Sequence, residues 1–336
     1  MSTQTPPVKE QPAIILGCAN FGSPDDPTTR HHTPAAASAL FTTFSSYGYH
    51  TIDTSRRYPP LAGGTSEVVI ASALSSLPPS INLDIDTKVL SAPGCHTPEN
   101  IASSISASLA ALGVPAVHTI YLHFPDRTQP LSNPVSALSH AVTTGQAARW
   151  GLSNYTLADV REVLALCEQH AGWIKPAVFQ GEYNAVNRET EDLIPYLHKN
   201  GIAFYAYSPG AGGALAPMGT RLAAPGPAGD RVRRLYGGEE VQSAIQRVRY
   251  VAGKDGLKGH EAAIRWVVWD SMLDGKYGDG VVIGAGSVEQ LKETLDVIKK
   301  GGLSEDVKQV VEGVWETILK DKAEKGVAPE RWEPKT

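Results

Sequence analysis

HTIDTSRRY, residues 50–58, is the stretch whose reading decides the fold. Its first four residues form a short apolar run of β type, and the polar residues after them read as the loop into which a strand opens. The pattern returns at DTK (86–88), LHFPD (122–126) and GLSN (151–154). These stretches place Asp53, Tyr58, Lys88 and His123 where successive strands meet loops.

Outward from them, apolar strand-like runs occur at 13–17, 50–53, 83–88, 119–124, 149–153, 177–181, 202–208 and 280–286. Helical stretches fall between them at about 34–47, 65–77, 97–112, 133–145, 156–171, 189–200, 239–252 and 287–300. In VREVLALC (160–167), Val160, Val163, Leu164 and Cys167 share one helix face. Thr97, Asn133 and Ser287 read as helix starts, and Gly48, Gly113, Gly172 and Gly201 as helix stops. Strands alternating with helices predict a parallel sheet covered by helices. Eight such units without a linker favour a closed (β/α)8 barrel, a single α/β domain over 13–336. A doubly wound open sheet is the alternative, weakened because no strand is followed by a GxGxxG turn. Residues 1–12 are polar and Pro-rich and read as a flexible tail. Residues 209–238, rich in Gly, Ala and Pro, read as a long lid or binding loop after the seventh strand, and 304–322 as an extra C-terminal helix.

A net charge of −5 over 336 residues with scattered basic side chains argues against nucleic acid or a membrane surface as partner. The sequence has neither an apolar run of membrane-spanning length nor an N-terminal signal core, which gives a cytoplasmic expectation. Cys18, Cys95 and Cys167 are odd in number and widely spaced, unlike a disulfide framework, and no metal ligands stand at suitable spacing beside them. They read as small buried hydrophobes in a reducing compartment.

A barrel carries its chemistry at the C-terminal ends of its strands, where these four polar residues fall. A tyrosine is a proton donor at neutral pH; a nearby ammonium lowers its pKa, and a carboxylate holds that ammonium in place. Lys88 and Asp53 can serve Tyr58 in this way, while neutral His123 orients a carbonyl oxygen. Such a site protonates a carbonyl as hydride reaches its carbon, or runs in reverse to oxidise an alcohol. Singly, each residue has a plainer reading: a turn aspartate, a loop tyrosine, a surface lysine, a core histidine. The four together, in order and separated by helix-length gaps, favour the catalytic one.

GYHTIDTSRRY, IDTK, IYLHFPD, WGLSNY, VFQGEYNAVNR, FYAYSPGAGG and VVIGAGSVEQL resemble the aldo-keto reductase superfamily from Ile14 to about Lys322. QGEYNAVNRETEDLIPYLHKNGIAFYAYSPGAGG and the GDGVVIGAGSVEQL ending are closer to its aflatoxin-aldehyde reductase branch. The resemblance implies a TIM barrel, the tetrad roles above, and a cofactor, NADPH (NADP+), with NADH also possible. Ser153, Asn154 and Gln180 would hold the nicotinamide carboxamide, their amides and hydroxyl matching its donors and acceptor. Tyr207 would stack on the ring. Ser208, Gly210 and Gly212–Gly213 would approach the pyrophosphate, and Gly284, Gly286, Ser287 and Gln290 the 2′-phosphate at a helix N-terminus. Plainer roles stay open: a helix cap for Ser153–Asn154, barrel core for Tyr207.

Many relatives carry Arg or Lys at the Gly286 position and Asn at the Thr294 position, although the branch also lacks a basic residue at the former. The branch's loop lysine is missing from GGALAPMGTR, where Arg221 is the substitute. Arg234 in VRRLYGG matches a branch arginine that approaches acidic substrate groups, Arg331 is a second candidate, and Arg57 lies next to Tyr58 at the pocket mouth. The expected function is reduction of a small-molecule aldehyde or ketone. The rivals are an NAD(P)-linked dehydrogenase of a sugar or secondary alcohol, and a cofactor-binding regulatory subunit like a potassium-channel-associated branch. The short N-terminal segment before the first strand speaks against the last, and homodimers occur in the resembled branch.

Overall fold

Each apolar run read from the sequence forms a strand, and the eight strands close in sequence order into a barrel. The structure, a computed structural model, describes residues 9–216, 227–324 and 326. Strands β1 (Ala13–Gly17), β2 (Thr51–Asp53), β3 (Asp84–Lys88), β4 (Val117–Leu122), β5 (Ala147–Ser153), β6 (Val178–Glu182), β7 (Ala203–Tyr207) and β8 (Gly280–Ile283) alternate with helices. The helices are α1 (Pro34–Ser46), α2 (Thr65–Leu74), α3 (Pro98–Leu112), α4 (Ser132–Thr143), α5 (Leu157–Gln169) and α6 (Ile194–Lys199), followed by α7 (Pro227–Tyr236), α8 (Glu239–Lys254), α9 (Gly259–Arg265), α10 (Val288–Ile298) and α11 (Glu305–Glu324). The strand cores are apolar because a parallel barrel strand is covered on both faces: all four residues of β8 are buried, as are three of five in β1.

Pairing register brings the chemistry-bearing positions to one end of the strands. Asp53 lies opposite Gly17 on one side and Asp86 on the other; Lys88 is opposite Tyr121, and Ser153 opposite Gln180. His123 follows the last residue of β4.

Three helix starts follow the capping chemistry of the sequence, whereas α4 begins at Ser132 without a side-chain cap, so Asn133 lies inside its first turn. Thr33, Thr97 and Thr156 each accept a bond from a first-turn N–H, and Thr156 forms a reciprocal capping box with Asp159. Arg127 adds a two-pronged ion pair to Asp159 at 2.6 and 2.9 Å. α3 ends on Gly113, whose φ of 67° belongs to the left-handed region that favours glycine.

The residues group into two compact units. One consists of Ile14–Gly181 with Val282–Leu295. Its core includes Trp150, whose indole N–H donates to the Ile174 carbonyl at 2.7 Å, and the stacked rings of Phe21 and Phe41. The other is built on Glu182–Val281 and the segment from Asp296 onward, together with the N-terminal residues through Ala13. There the buried Asp279 carboxylate accepts from His198 Nε2 and the Phe204 and Asp274 N–H groups, and the Arg188 guanidinium lies 4.2 Å from the Trp266 ring centroid.

Several elements differ from the sequence reading. Part of the 209–238 loop is helical: a 3-10 turn covers Ala211–Gly213, and α7 occupies its C-terminal part. α7 begins on Pro227, carries Asp230 in its first turn and Arg233–Arg234 in its last, favourable placements that the surrounding Gly and Pro disguise. Residues 217–226 of that loop, with Arg221, lie outside the described residues. α9 and the π turn Trp266–Asp270 after it are additional. The helix expected at 189–200 starts as a 3-10 turn, Glu191–Leu193, before α6. The strand expected at 280–286 stops at Ile283. Of the expected N-terminal tail, residues 1–8 lie outside the described residues, while Lys9 donates to the Ser271 carbonyl and Glu10 exchanges bonds with Asp274 and Gly275.

Gly151 in β5 leaves no room for a side chain. A Cβ there would meet the Val178 carbonyl oxygen at 2.6 Å and the Tyr121 ring at 2.7 Å. Both neighbours are buried and one is backbone, so Gly151→Ala should destabilise the fold by about 1–3 kcal/mol. A thermal unfolding midpoint equal to that of the native chain would contradict this.

Candidate active site

At the end of β3 the Lys88 ammonium donates to both carboxylate oxygens of Asp53, at 2.6 and 2.7 Å, and to the Thr54 carbonyl at 3.0 Å. Gln180 Nε2 donates to the same carboxylate at 2.9 Å. Asp53 and Lys88 are only 3% and 1% exposed, so the pair persists because each charge is multiply bonded. Tyr58 is half-buried at the end of the SRRY turn, closed by its N–H to the Ser55 carbonyl at 2.9 Å. Its ring centroid lies 5.2 Å from Lys88 Nζ and 5.5 Å from that of His123, the two rings edge to face. His123 stacks on Phe124 at 4.2 Å, and its carbonyl accepts from Asn154 Nδ2 at 3.0 Å. The structure therefore brings Asp53, Tyr58, Lys88 and His123 together.

Protonation follows from these surroundings. Burial alone would lower the Lys88 pKa, but Asp53 and then Tyr58 more than reverse it, so the ammonium is held. Around Tyr58, desolvation raises the phenol pKa and outweighs the opposing pull of Lys88. The sequence argument expected the ammonium to lower it; the site instead keeps a protonated phenol, the form that donates. His123 is pushed well below the ordinary imidazole value, first by burial and then by the charges of Lys88 and Arg57, and is neutral at pH 7.

Ser153, Asn154 and Gln180 sit beside this cluster. Asn154 has a left-handed φ of 65° and donates to Ser153 Oγ at 3.0 Å. That bond leaves the buried Ser153 hydroxyl its own proton to donate, and the Gln180 carbonyl oxygen accepts no bond from the described residues. A hydroxyl donor and an amide acceptor complement a primary carboxamide, so this donor set fits a nicotinamide. Gly284, Gly286, Ser287 and Gln290 lie in the same unit at the start of α10. Gly286 N–H donates to Gln290 Oε1 at 2.6 Å, and Gln290 N–H to Ser287 Oγ at 3.2 Å, so side chains already cap this helix end.

Tyr207, Ser208, Gly210 and Gly212 belong to the other unit. Ser208 and Ala211 adopt φ of 55° and 52°, uncommon outside glycine, and Gly212 adopts 61°. Within the turn the Ala211 and Gly213 N–H groups donate to the Ser208 and Gly210 carbonyls, both at 2.9 Å. Asn184 Nδ2 fixes the turn by donating to the Ser208 carbonyl at 3.1 Å. Arg57 is exposed, its guanidinium 5.8 Å from the Phe124 ring centroid. Arg234 is exposed near the end of α7, and Arg331 lies outside the described residues.

Three contributors escaped the sequence reading. Ser55 Oγ lies 3.0 Å from His123 Nδ1; Asn20 and His31 both bond the Ala285 carbonyl, at 2.8 and 2.9 Å. Small polar residues in loops carry no periodic signal, and only the fold shows what they meet. Cys18 and Cys167 are buried and Cys95 is half-buried, all three as free thiols. Among the described residues no cluster of His, Cys, Asp and Glu could hold a metal, and no helix is long and apolar enough to cross a membrane.

The Aldo/keto reductase family model matches residues 13–316. The chain is 34% identical to the oxidoreductase sirO of Leptosphaeria maculans over 93% of its length and 96% of that protein. It is 30% identical to aflatoxin B1 aldehyde reductase member 2 of Mus musculus, over 92% of its length and 86% of the relative. The thermostable aldo-keto reductase Tm1743 shares the fold with a TM-score of 0.65 at 22% identity, over 90% of this chain and 95% of that one. The chain thus belongs to the aldo/keto reductase family, as an NAD(P)H-dependent oxidoreductase of carbonyl groups.

Proposed function

We propose that the protein reduces aldehydes or ketones with NADPH, Tyr58 donating the proton. The observation that carries this reading is the buried Lys88–Asp53 pair, its ammonium 5.2 Å from the Tyr58 ring centroid and that ring 5.5 Å from the His123 ring. When bound, the nicotinamide supplies the hydride. Ser153, Asn154 and Gln180 orient its carboxamide, Tyr207 backs its ring, and the turns at Ser208–Gly212 and Gly284–Gln290 take its phosphates. His123 hydrogen-bonds the substrate oxygen, and Tyr58 releases its proton to that oxygen as negative charge develops there. Lys88, held by Asp53, stabilises the phenolate left behind. NADH is a second cofactor to be compared, because no cation stands at Gly286.

Arg57 supports an anionic or polar substrate, since its charge acts on both His123 and Tyr58. Arg234 is proposed as a second contact to acidic substrate groups. The three free cysteines support a cytoplasmic, reducing address.

Purified protein should oxidise NADPH in the presence of an aldehyde panel. Tyr58→Phe should lower kcat roughly 10²- to 10⁴-fold while cofactor affinity, read by fluorescence titration, stays near the native value. Undiminished turnover by that variant would sink the mechanism.

The pH dependence has a defined sign. The lowered His123 pKa brings imidazolium only well below 6.5, and the raised Tyr58 pKa brings phenolate only above 10.0. The kcat for reduction should therefore be flat between those values, whereas alcohol oxidation, which needs the phenolate as base, should rise with pH. An inflection of reduction near pH 6.5 would contradict the neutral-imidazole assignment.

Lys88→Met would strand the Asp53 carboxylate in the core, costing about 3–5 kcal/mol in urea denaturation as well as turnover. In the native chain the raised Lys88 pKa keeps the ammonium through neutral pH and gives it up as pH climbs past 10.5. Burial raises the Asp53 pKa above 3.8, so the pair is also lost on the acid side. A variant as stable as the native protein would show that the pair is not what holds Asp53.

A further inference from the structure

His123 has two ring nitrogens, and which of them carries the proton decides whether the imidazole offers a substrate oxygen a donor or a lone pair. Nδ1 lies 3.0 Å from Ser55 Oγ, and Nε2 holds no bond to the described residues. Ser55 is fully buried, and its Oγ already accepts the Arg57 N–H at 3.1 Å. Its hydroxyl proton still needs an acceptor, and among the described residues His123 Nδ1 is the one in reach. Were Nδ1 protonated instead, the Ser55 oxygen could accept that proton only by turning its own proton away, and the buried hydroxyl would lose its acceptor. The backbone leaves Ser55 little freedom to turn away. Thr54 and Arg56 on either side donate to the β3 carbonyls of Asp86 and Lys88 at 2.8 and 3.0 Å, and Tyr58 N–H closes on the Ser55 carbonyl.

We propose that Ser55 is a positioning residue that fixes His123 as its Nε2–H tautomer, so that the ring presents a hydrogen-bond donor to the substrate oxygen. This rests on the reading of His123 as the group that orients the carbonyl. One four-residue turn then sets both proton-bearing groups of the site, Tyr58 directly and His123 through Ser55.

Two-bond proton–nitrogen correlation spectra of the nitrogen-15-labelled protein report the tautomer directly, with the His123 signals identified by their loss in His123→Gln. Native protein should show Nδ1 unprotonated and Nε2 protonated. Ser55→Ala should mix the tautomers and lower kcat about 10-fold, the worth of one buried hydrogen bond, without changing cofactor affinity. Ser55→Thr, which keeps the hydroxyl, should restore both the spectrum and kcat. A protonated Nδ1 in native protein overturns the proposal without any variant having to fold. So does an Ser55→Ala variant with native spectrum and kcat, or with mixed tautomers and native kcat. Failure of the underlying reading shows separately, as native protein that reduces no carbonyl, a result on which the ring spectrum does not depend.

Discussion

The ion pair between Lys88 and Asp53 is the constraint around which the site is built. Two charges this deeply buried survive because the ammonium reaches three oxygens and the carboxylate takes a further bond from Gln180. Those bonds tie the ends of β2, β3 and β6 to one another, so the geometry of the reacting groups is fixed by the same contacts that hold this end of the strands. A fixed positive charge then lies beside Tyr58 before any substrate arrives, where a phenolate would need it.

The rest of the cluster reads as a division of protons. Lys88 keeps its proton because Asp53 more than offsets the cost of burial, Tyr58 keeps its own because desolvation outweighs Lys88, and His123 stays neutral under burial and two nearby cations. Neighbouring groups with their pKa values driven apart are what acid–base chemistry at neutral pH requires. The same burial keeps the phenol protonated, so the phenolate that alcohol oxidation would need forms only at higher pH.

The barrel and the tetrad were legible in the sequence because both depend on strand ends. A parallel strand buried on two faces is a short apolar run, and Asp53, Lys88 and His123 each stand where such a run stops. α7 was hidden because Gly, Pro and Ala dominate the segment before it, and local composition there reads as loop. Ser55 and the Gln180 bond to Asp53 were hidden for another reason. Their partners are distant in sequence, at His123 and across to β6, and a serine or glutamine carries no trace of the group it will meet. The sign of the Tyr58 shift also lay beyond the sequence, because it depends on how far burial outweighs one nearby charge.

The start of α10 shows how the fold deals with a missing cation. Gly286 offers no side chain, and its N–H is held by Gln290 Oε1 while Ser287 Oγ takes the Gln290 N–H. These bonds satisfy orphan donors of the helix end with neutral acceptors. A phosphate reaching the same N–H groups would exchange a neutral bond for a charge-assisted one, roughly twice as strong, along the favourable direction of the helix dipole. Asn20 and His31 meanwhile bond the Ala285 carbonyl from the loop after β1, which fixes the turn that leads into the helix. If the proposed phosphate binds here, it would draw on backbone polarity rather than on a fixed arginine, and it would have to displace the Gln290 Oε1 bond to the Gly286 N–H.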